Sequence, residues 1–159
     1  MPISTDKYLR LIQKELTDMT YGQDPAELYD PIEYIMSLGG KRLRPLLTLT
    51  SYSLYKNDVQ RMVRPALAVE LFHNFTLMHD DIMDQAPLRR GKATVHEKWN
   101  APTAILSGDV MLVRAYDLLM EAPGHLLGEI IKHFNVCASE VCEGQQIDMN
   151  FESRNDVHE

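Results

Sequence analysis

Three carboxylates fall within five residues at Asp80-Asp81-Ile82-Met83-Asp84, at the end of the largely apolar run Phe72 to Met78. On a helix, Asp80 and Asp84 are four apart and share a face, one turn above the other. Like charges at that spacing repel by a few tenths of a kcal/mol even in water. The penalty grows where apolar neighbours draw the carboxylates out of solvent. A cation between them removes it. Oxygen ligands without cysteine favour a hard cation, and a site with few carboxylates and open positions suits Mg²⁺ that is also bound to phosphate oxygens. A solvated acidic helix end has the same composition, so the neighbouring residues must decide.

Gly39-Gly40-Lys41-Arg42-Leu43-Arg44-Pro45 sets three cations at a helix start, behind two glycines. Glycine lets backbone approach a ligand closely, and the unpaired N–H groups of a helix N-terminus add positive potential. Cations there oppose the helix dipole unless an anion neutralises them. A second cluster, Arg89-Arg90-Gly91-Lys92, begins five residues after Asp84. Its guanidinium groups present planar donors suited to phosphate oxygens. Charge balance against the aspartates and solvated lysines is the plain alternative for both clusters. His73 lies seven residues before Asp80, two turns below it on nearly the same face. His79 reads as an ordinary core histidine. Gln145 and Asp148, in Gly144-Gln145-Gln146-Ile147-Asp148, share a face near the end of an otherwise apolar helix. Two cation clusters, one acidic cluster and a polar helix patch together suggest Mg²⁺-bridged diphosphate recognition above an apolar cavity.

The elements that must hold these groups are helical. In 159 residues there is enough chain for one domain with a real core, and the apolar fraction of 45% is that of a globular protein. The net charge of −7 gives the chain no general attraction to nucleic acid or an anionic membrane, so a polyanionic ligand must be held by local cations. Met1 to Arg10 lacks an apolar core of signal-peptide length, and no segment reaches the run of about eighteen apolar residues that spans a bilayer. Cys137 and Cys142 are five apart in one helix and point to different sides, as expected of thiols in a reducing, cytoplasmic compartment. Apolar spacing predicts a helix from about Ser4 to Met19, capped by Ser4 or Thr5, and separate short helices after Asp24-Pro25 and Asp30-Pro31, the second ending at Gly39-Gly40. Further helices are expected from Leu43 to Tyr55, from Pro65 to Asp84, from Pro102 to Met120 and from His125 to Asn150, with Ala86 to Lys98 a loop. No stretch alternates as a strand does. The fold class is all-α, a helical bundle.

With these residues in view, the chain resembles the N-terminal part of the trans-isoprenyl diphosphate synthases, the polyprenyl synthetase family. The likeness rests on Gly39 to Pro45, His73, Asp80 to Asp84, Leu88-Arg89-Arg90-Gly91 and Gly144 to Asp148, in the family's order along nearly all of the chain. One aspartate-rich motif alone is weak, since terpene cyclases carry it; the five together are specific. The resemblance implies the isoprenoid synthase fold and head-to-tail condensation of isopentenyl diphosphate onto an allylic diphosphate in a homodimeric enzyme. It assigns catalysis to Asp80, Asp81 and Asp84, with Asp80 and Asp84 holding Mg²⁺. It gives Arg89 the allylic diphosphate, and Lys41, Arg44, His73 and Arg90 the isopentenyl diphosphate. Gln145 and Asp148 would lie near the allylic head group and its metals. Phe75 and Thr76, about one turn below Asp80, resemble the product-length floor of the short-chain, farnesyl to geranylgeranyl, synthases.

Members of that family are considerably longer and carry a second aspartate-rich motif and a Lys-Thr pair, which residues 1–159 do not contain. The expectation is therefore an N-terminal portion of a single isoprenoid synthase domain, inactive or feeble alone, with apolar helix faces left open to self-association. A non-catalytic partner subunit of a heteromeric synthase is the first alternative, against which the intact motifs speak. A class I terpene cyclase is the second, and it has no need of an isopentenyl site built from Lys41, Arg44, His73 and Arg90. In a complete synthase, Phe75→Ala is expected to lengthen the product. An unchanged product length would rule Phe75 out as the floor.

Overall fold

The computed structural model describes residues 5–152. The chain divides into two compact units between Ala122 and Pro123. The first contains α1 (Thr5–Asp18), α2 (Ala26–Ser37), α3 (Leu43–Ser53), a 3₁₀ turn (Val59–Met62) and α4 (Val63–Met83). It continues with β1 (Leu88–Arg89), β2 (Lys92–Ala93), the short α5 (Val95–Lys98) and α6 (Ala101–Leu119). The second unit is the long helix α7 (Gly124–Glu152), which carries both cysteines as free, exposed thiols. No helix among the described residues is long and apolar enough to cross a membrane.

Helix α4 is the axis of the first unit and touches α1, α2, α3, α5 and α6. Its sequence accounts for this. Pro65 falls in the first turn, where its missing N–H costs nothing, and the residues from Val63 to Met78 are apolar on nearly every side. Val63, Ala66, Leu67, Ala68, Leu71 and Met78 are almost fully buried. Its broadest partner is α6, started by Asn100, whose side chain accepts a hydrogen bond of 2.8 Å from the Thr103 N–H, with Pro102 in the first turn. Small residues let these two helices close up. Ala104, Ser107 and Ala115 are completely buried, and the Ser107 hydroxyl donates to the Leu28 carbonyl at 2.8 Å.

The helical reading holds, with three local departures. The expected break at Asp30-Pro31 is absent: α2 runs unbroken from Ala26 to Ser37 with Pro31 inside it. An internal proline removes a backbone bond, at a cost of about 3 kcal/mol. Burial of Pro31, Ile32, Ile35 and Met36 on a shared face offsets it. Pro25 is also not the first helical residue but the extended N-cap before Ala26. The segment Ala86 to Lys98 is more ordered than a loop. It holds a two-stranded antiparallel hairpin, Leu88 opposite Ala93 and Arg89 opposite Lys92, followed by one turn of helix. At the first helix, the proposed Ser4 cap lies outside the described residues.

Gly108 on α6 packs against the His79 side chain of α4. A β-carbon there would sit 2.3 Å from the His79 Nε2, which itself lies 3.2 Å from the Ile105 carbonyl oxygen. Gly108→Ala is expected to destabilise the fold by about 1–3 kcal/mol, the usual range for overpacking. Thermal unfolding followed by circular dichroism would measure it, and adding His79→Ala in the same chain should recover part of the loss.

Candidate functional site

Helix α4 presents two polar stripes. Glu70, Asn74 and Asp81 form a buried one, and His73, Asp80 and Asp84 a half-open one. Each group on the buried stripe is tied to another part of the first unit or to its own helix. The Glu70 carboxylate accepts from Arg42 Nη1 at 2.7 Å, and Asn74 Nδ2 donates to the Glu70 carbonyl at 2.8 Å. Asp81 accepts a two-pronged pair of bonds from Arg89, Nε to Oδ2 and Nη2 to Oδ1, both 2.8 Å. Asp81 is 3% exposed and therefore differs in kind from its neighbours in the acidic motif: both its oxygens are engaged by an arginine.

The half-open stripe carries the carboxylates suited to metal. The Asp80 carboxyl is held above the ordinary carboxylate range, first by partial burial and then by the Asp84 charge. Two exposed or half-exposed carboxylates that repel each other, one turn apart, are a donor set for a hard divalent cation. No group of three or more His, Cys, Asp or Glu converges as a metal cage among the described residues. Two carboxylates with open positions fit Mg²⁺, which keeps waters and takes up phosphate oxygens.

The two basic clusters meet at the lower end of this stripe. Arg90 Nη1 donates to the Gly39 carbonyl, so the hairpin and the loop before α3 are joined. Gly40 makes that approach feasible, since a β-carbon at this position would lie 3.3 Å from both terminal nitrogens of Arg90. The backbone is shaped for the contact. Gly39, Gly40 and Arg42 all have positive φ, as do Arg90 and Gly91, the two central residues of the hairpin turn. Positive φ at both central residues is the geometry that matches the twist of a two-residue hairpin. On its other side the hairpin is anchored to α2, with the Tyr34 hydroxyl donating to the Ala93 carbonyl at 2.7 Å. The Lys98 ammonium lies 3.9 Å from the centre of the Tyr34 ring and 4.5 Å from that of Trp99.

His73 lies in the field of these cations. Partial burial, then the charges of Arg44, Arg90 and Arg89, push its imidazole down to about 4, with Glu70 opposing. The Arg90 guanidinium is itself lowered by partial burial and by Arg42 and Arg89. Such a site is short of negative charge. Lys41 and Arg44 are both exposed, and Arg44 occupies the first turn of α3.

The structure thus brings Arg44, His73, Arg89, Arg90, Asp80 and Asp84 to the C-terminal half of α4 and the two loops beside it. Phe75 and Thr76 lie half-buried on α4 below Asp80, the Phe75 ring 4.7 Å from the His79 ring and the Thr76 hydroxyl bonded to the His73 carbonyl. Gln145 and Asp148 belong to the second unit, three residues apart on α7. Sequence reasoning grouped Arg42 with the ligand cations and passed over Glu70. The signal for Glu70 was present: an acid inside an apolar helix, eleven residues before Asp81 and so on the same face.

A bundle with an aspartate-rich helix beside two arginine-bearing loops is the arrangement of an isoprenoid synthase, and comparison with known proteins agrees. The family model described as polyprenyl synthetase matches residues 25–159. The chain belongs to the polyprenyl synthetase family. It is 40% identical over 153 residues to a geranylgeranyl pyrophosphate synthase of Geoglobus acetivorans, covering 94% of this chain and 48% of that protein. A solved geranylgeranyl pyrophosphate synthase superposes with a TM-score of 0.93 at 49% identity, covering 98% of this chain and 48% of the other. The polyprenyl synthase of Caulobacter crescentus CB15, solved in complex with calcium and isoprenyl diphosphate, gives a TM-score of 0.83 at 29% identity, with 98% and 48% covered. The chain spans about half the length of the curated relatives it matches.

Two outcomes follow from the electrostatics. Asp84→Asn removes a like charge, so without metal its melting temperature should equal or exceed the parent's by about 1 °C, the scale of a few tenths of a kcal/mol in a domain of this size. In Mg²⁺ with inorganic diphosphate the parent should gain stability and the variant should not. For His73, the folded imidazole protonates near 4 and the unfolded one near 6.5, so the unfolded chain takes the extra proton first as pH falls. The penalty is absent above pH 6.5, grows on acidification and is complete below about 4. A His73→Gln chain should therefore lose less melting temperature across that window than the parent.

Proposed function

We propose that this chain carries the metal-binding and isopentenyl-binding part of a prenyl diphosphate synthase, making a short-chain trans-prenyl diphosphate from isopentenyl diphosphate and an allylic diphosphate. The observation that supports this best is the junction of two cationic loops, through Arg90 and Gly39, beside a helix bearing two carboxylates that repel each other. One arrangement offers an anion site without metal and an anion site that needs metal, a short distance apart along α4. That is what a reaction between two diphosphate esters requires.

On this reading Asp80 and Asp84 hold Mg²⁺, which supplies Lewis-acid stabilisation of the departing allylic diphosphate. Asp81 acts by fixing Arg89, which binds the allylic diphosphate. Lys41, Arg44, His73 and Arg90 hold the isopentenyl diphosphate. A neutral His73 can donate one ring N–H to a phosphate oxygen while the arginines supply the charge. The allylic carbon–oxygen bond breaks with its electron pair staying on the diphosphate, the isopentenyl double bond attacks the resulting carbocation, and a proton passes to the released diphosphate to complete the product. Phe75 and Thr76 form the floor that limits chain growth. The relatives in which such a chain is twice as long suggest that residues 1–159 alone turn over poorly or not at all. A homodimer in the cytoplasm fits the family; exposed Ile105, Leu106 and Val113 on α6 give it an apolar surface.

The test is a condensation assay with the purified chain, Mg²⁺, isopentenyl diphosphate and geranyl diphosphate, beside calorimetric titration of each diphosphate. Binding of both without prenyl product is the expected result. Product would overturn the insufficiency of the chain, and failure to bind either diphosphate would overturn the function.

A further inference from the structure

Arg42 and Glu70 form a buried ion pair that none of the roles above uses. Their side chains are 8% and 4% exposed, and the Arg42 Nη1 lies 2.7 Å from the Glu70 Oε1. The second terminal nitrogen, Nη2, donates to the Met36 carbonyl at 2.7 Å, near the end of α2. One guanidinium therefore ties the loop before α3 to both α2 and α4. It does so from a backbone held in the left-handed region, φ 49° and ψ 36°, as the N-cap of α3. A non-glycine residue keeps that conformation only where its surroundings over-determine it. The positions on either side, Lys41 and Arg44, are exposed and bear the charge proposed for ligand. Gly39 and Gly40, just before, receive Arg90.

We infer that Arg42 and Glu70 are positioning residues for the metal-independent diphosphate site: the pair fixes the loop so that Lys41, Arg44 and Arg90 converge, without touching the ligand. The inference rests on the functional reading above and deepens it. Glu70 has a second effect from the same place. Its charge counters those of Arg42 and Arg90 and is the one that favours protonation of His73, so it lets the cations crowd together before any anion arrives. Asp81 does the corresponding work for Arg89 three turns along the same face.

The experiment titrates the purified chain with inorganic diphosphate by calorimetry, once in EDTA and once in excess Mg²⁺. Removing one partner alone would strand a buried charge, so the main variant replaces both, Arg42→Met with Glu70→Leu, a change of similar volume that buried ion pairs often tolerate. Helicity and melting temperature report whether the fold survives. The expected result is affinity at least tenfold weaker in EDTA, with the Mg²⁺-dependent gain in affinity, which depends on Asp80 and Asp84, kept within about twofold. A general structural role would lower both together and would overturn the inference, as would unchanged affinity in EDTA. A parent chain that binds no diphosphate in EDTA would instead overturn the functional reading beneath it. Should the double variant melt much earlier than the parent, Arg42→Lys decides. It keeps the charge opposite Glu70 but loses the second terminal nitrogen that reaches the Met36 carbonyl, and it should weaken binding in EDTA several-fold; parent-like affinity would overturn the inference.

Discussion

A carboxylate withdrawn from water must either take a proton or find a cation, and α4 withdraws two of them. Glu70 and Asp81 stand eleven residues apart on one face, and each is met by an arginine from a different loop. Arg42 comes from the segment before α3 and Arg89 from the hairpin after α4. The site depends on these two matches, because loops have few apolar contacts of their own to hold them. Once both arginines are engaged, the loops are drawn to the same side of the helix, and Arg90 can reach the Gly39 carbonyl.

The neighbouring face of α4 is left electrostatically unfinished. At its upper end Asp80 and Asp84 repel each other, and at its lower end partial burial, with the arginines around it, disfavours the protonated form of His73. An excess of negative charge and an excess of positive charge thus persist within about two helical turns, without cancelling one another. Buried pairing on one face is what allows unpaired charge on the next, since the arginines that could neutralise Asp80 and Asp84 are partly committed elsewhere. A metal ion and a diphosphate are complementary to those two excesses.

Much of this was legible in the sequence. Most helix boundaries followed from proline, glycine and apolar spacing, and the acidic and basic motifs could be placed on helix or loop from the sequence alone. What stayed hidden was division of labour within a motif. Three cations within four residues look alike in sequence, yet Lys41 faces solvent, Arg42 is interior and Arg44 is again exposed. The left-handed backbone at Arg42 turns the chain between them, and no side-chain pattern announces a left-handed arginine. Asp80 and Asp81 diverge for a simpler reason: adjacent residues on a helix point about 100° apart. The hairpin escaped notice because two paired residues per strand are too few to show alternation. Pro31 misled because local preference was overridden by burial of the face it shares.

Arg42, Gln85 and Arg90 all adopt the left-handed backbone conformation, and none is glycine. Each such residue is less favourable than in its ordinary conformation by about 1–2 kcal/mol, a disadvantage met once, during folding. A ligand arriving at these loops finds them already in place. Association should therefore be governed by diffusion and charge rather than by a loop-closing step, and its rate should fall as salt screens the cations.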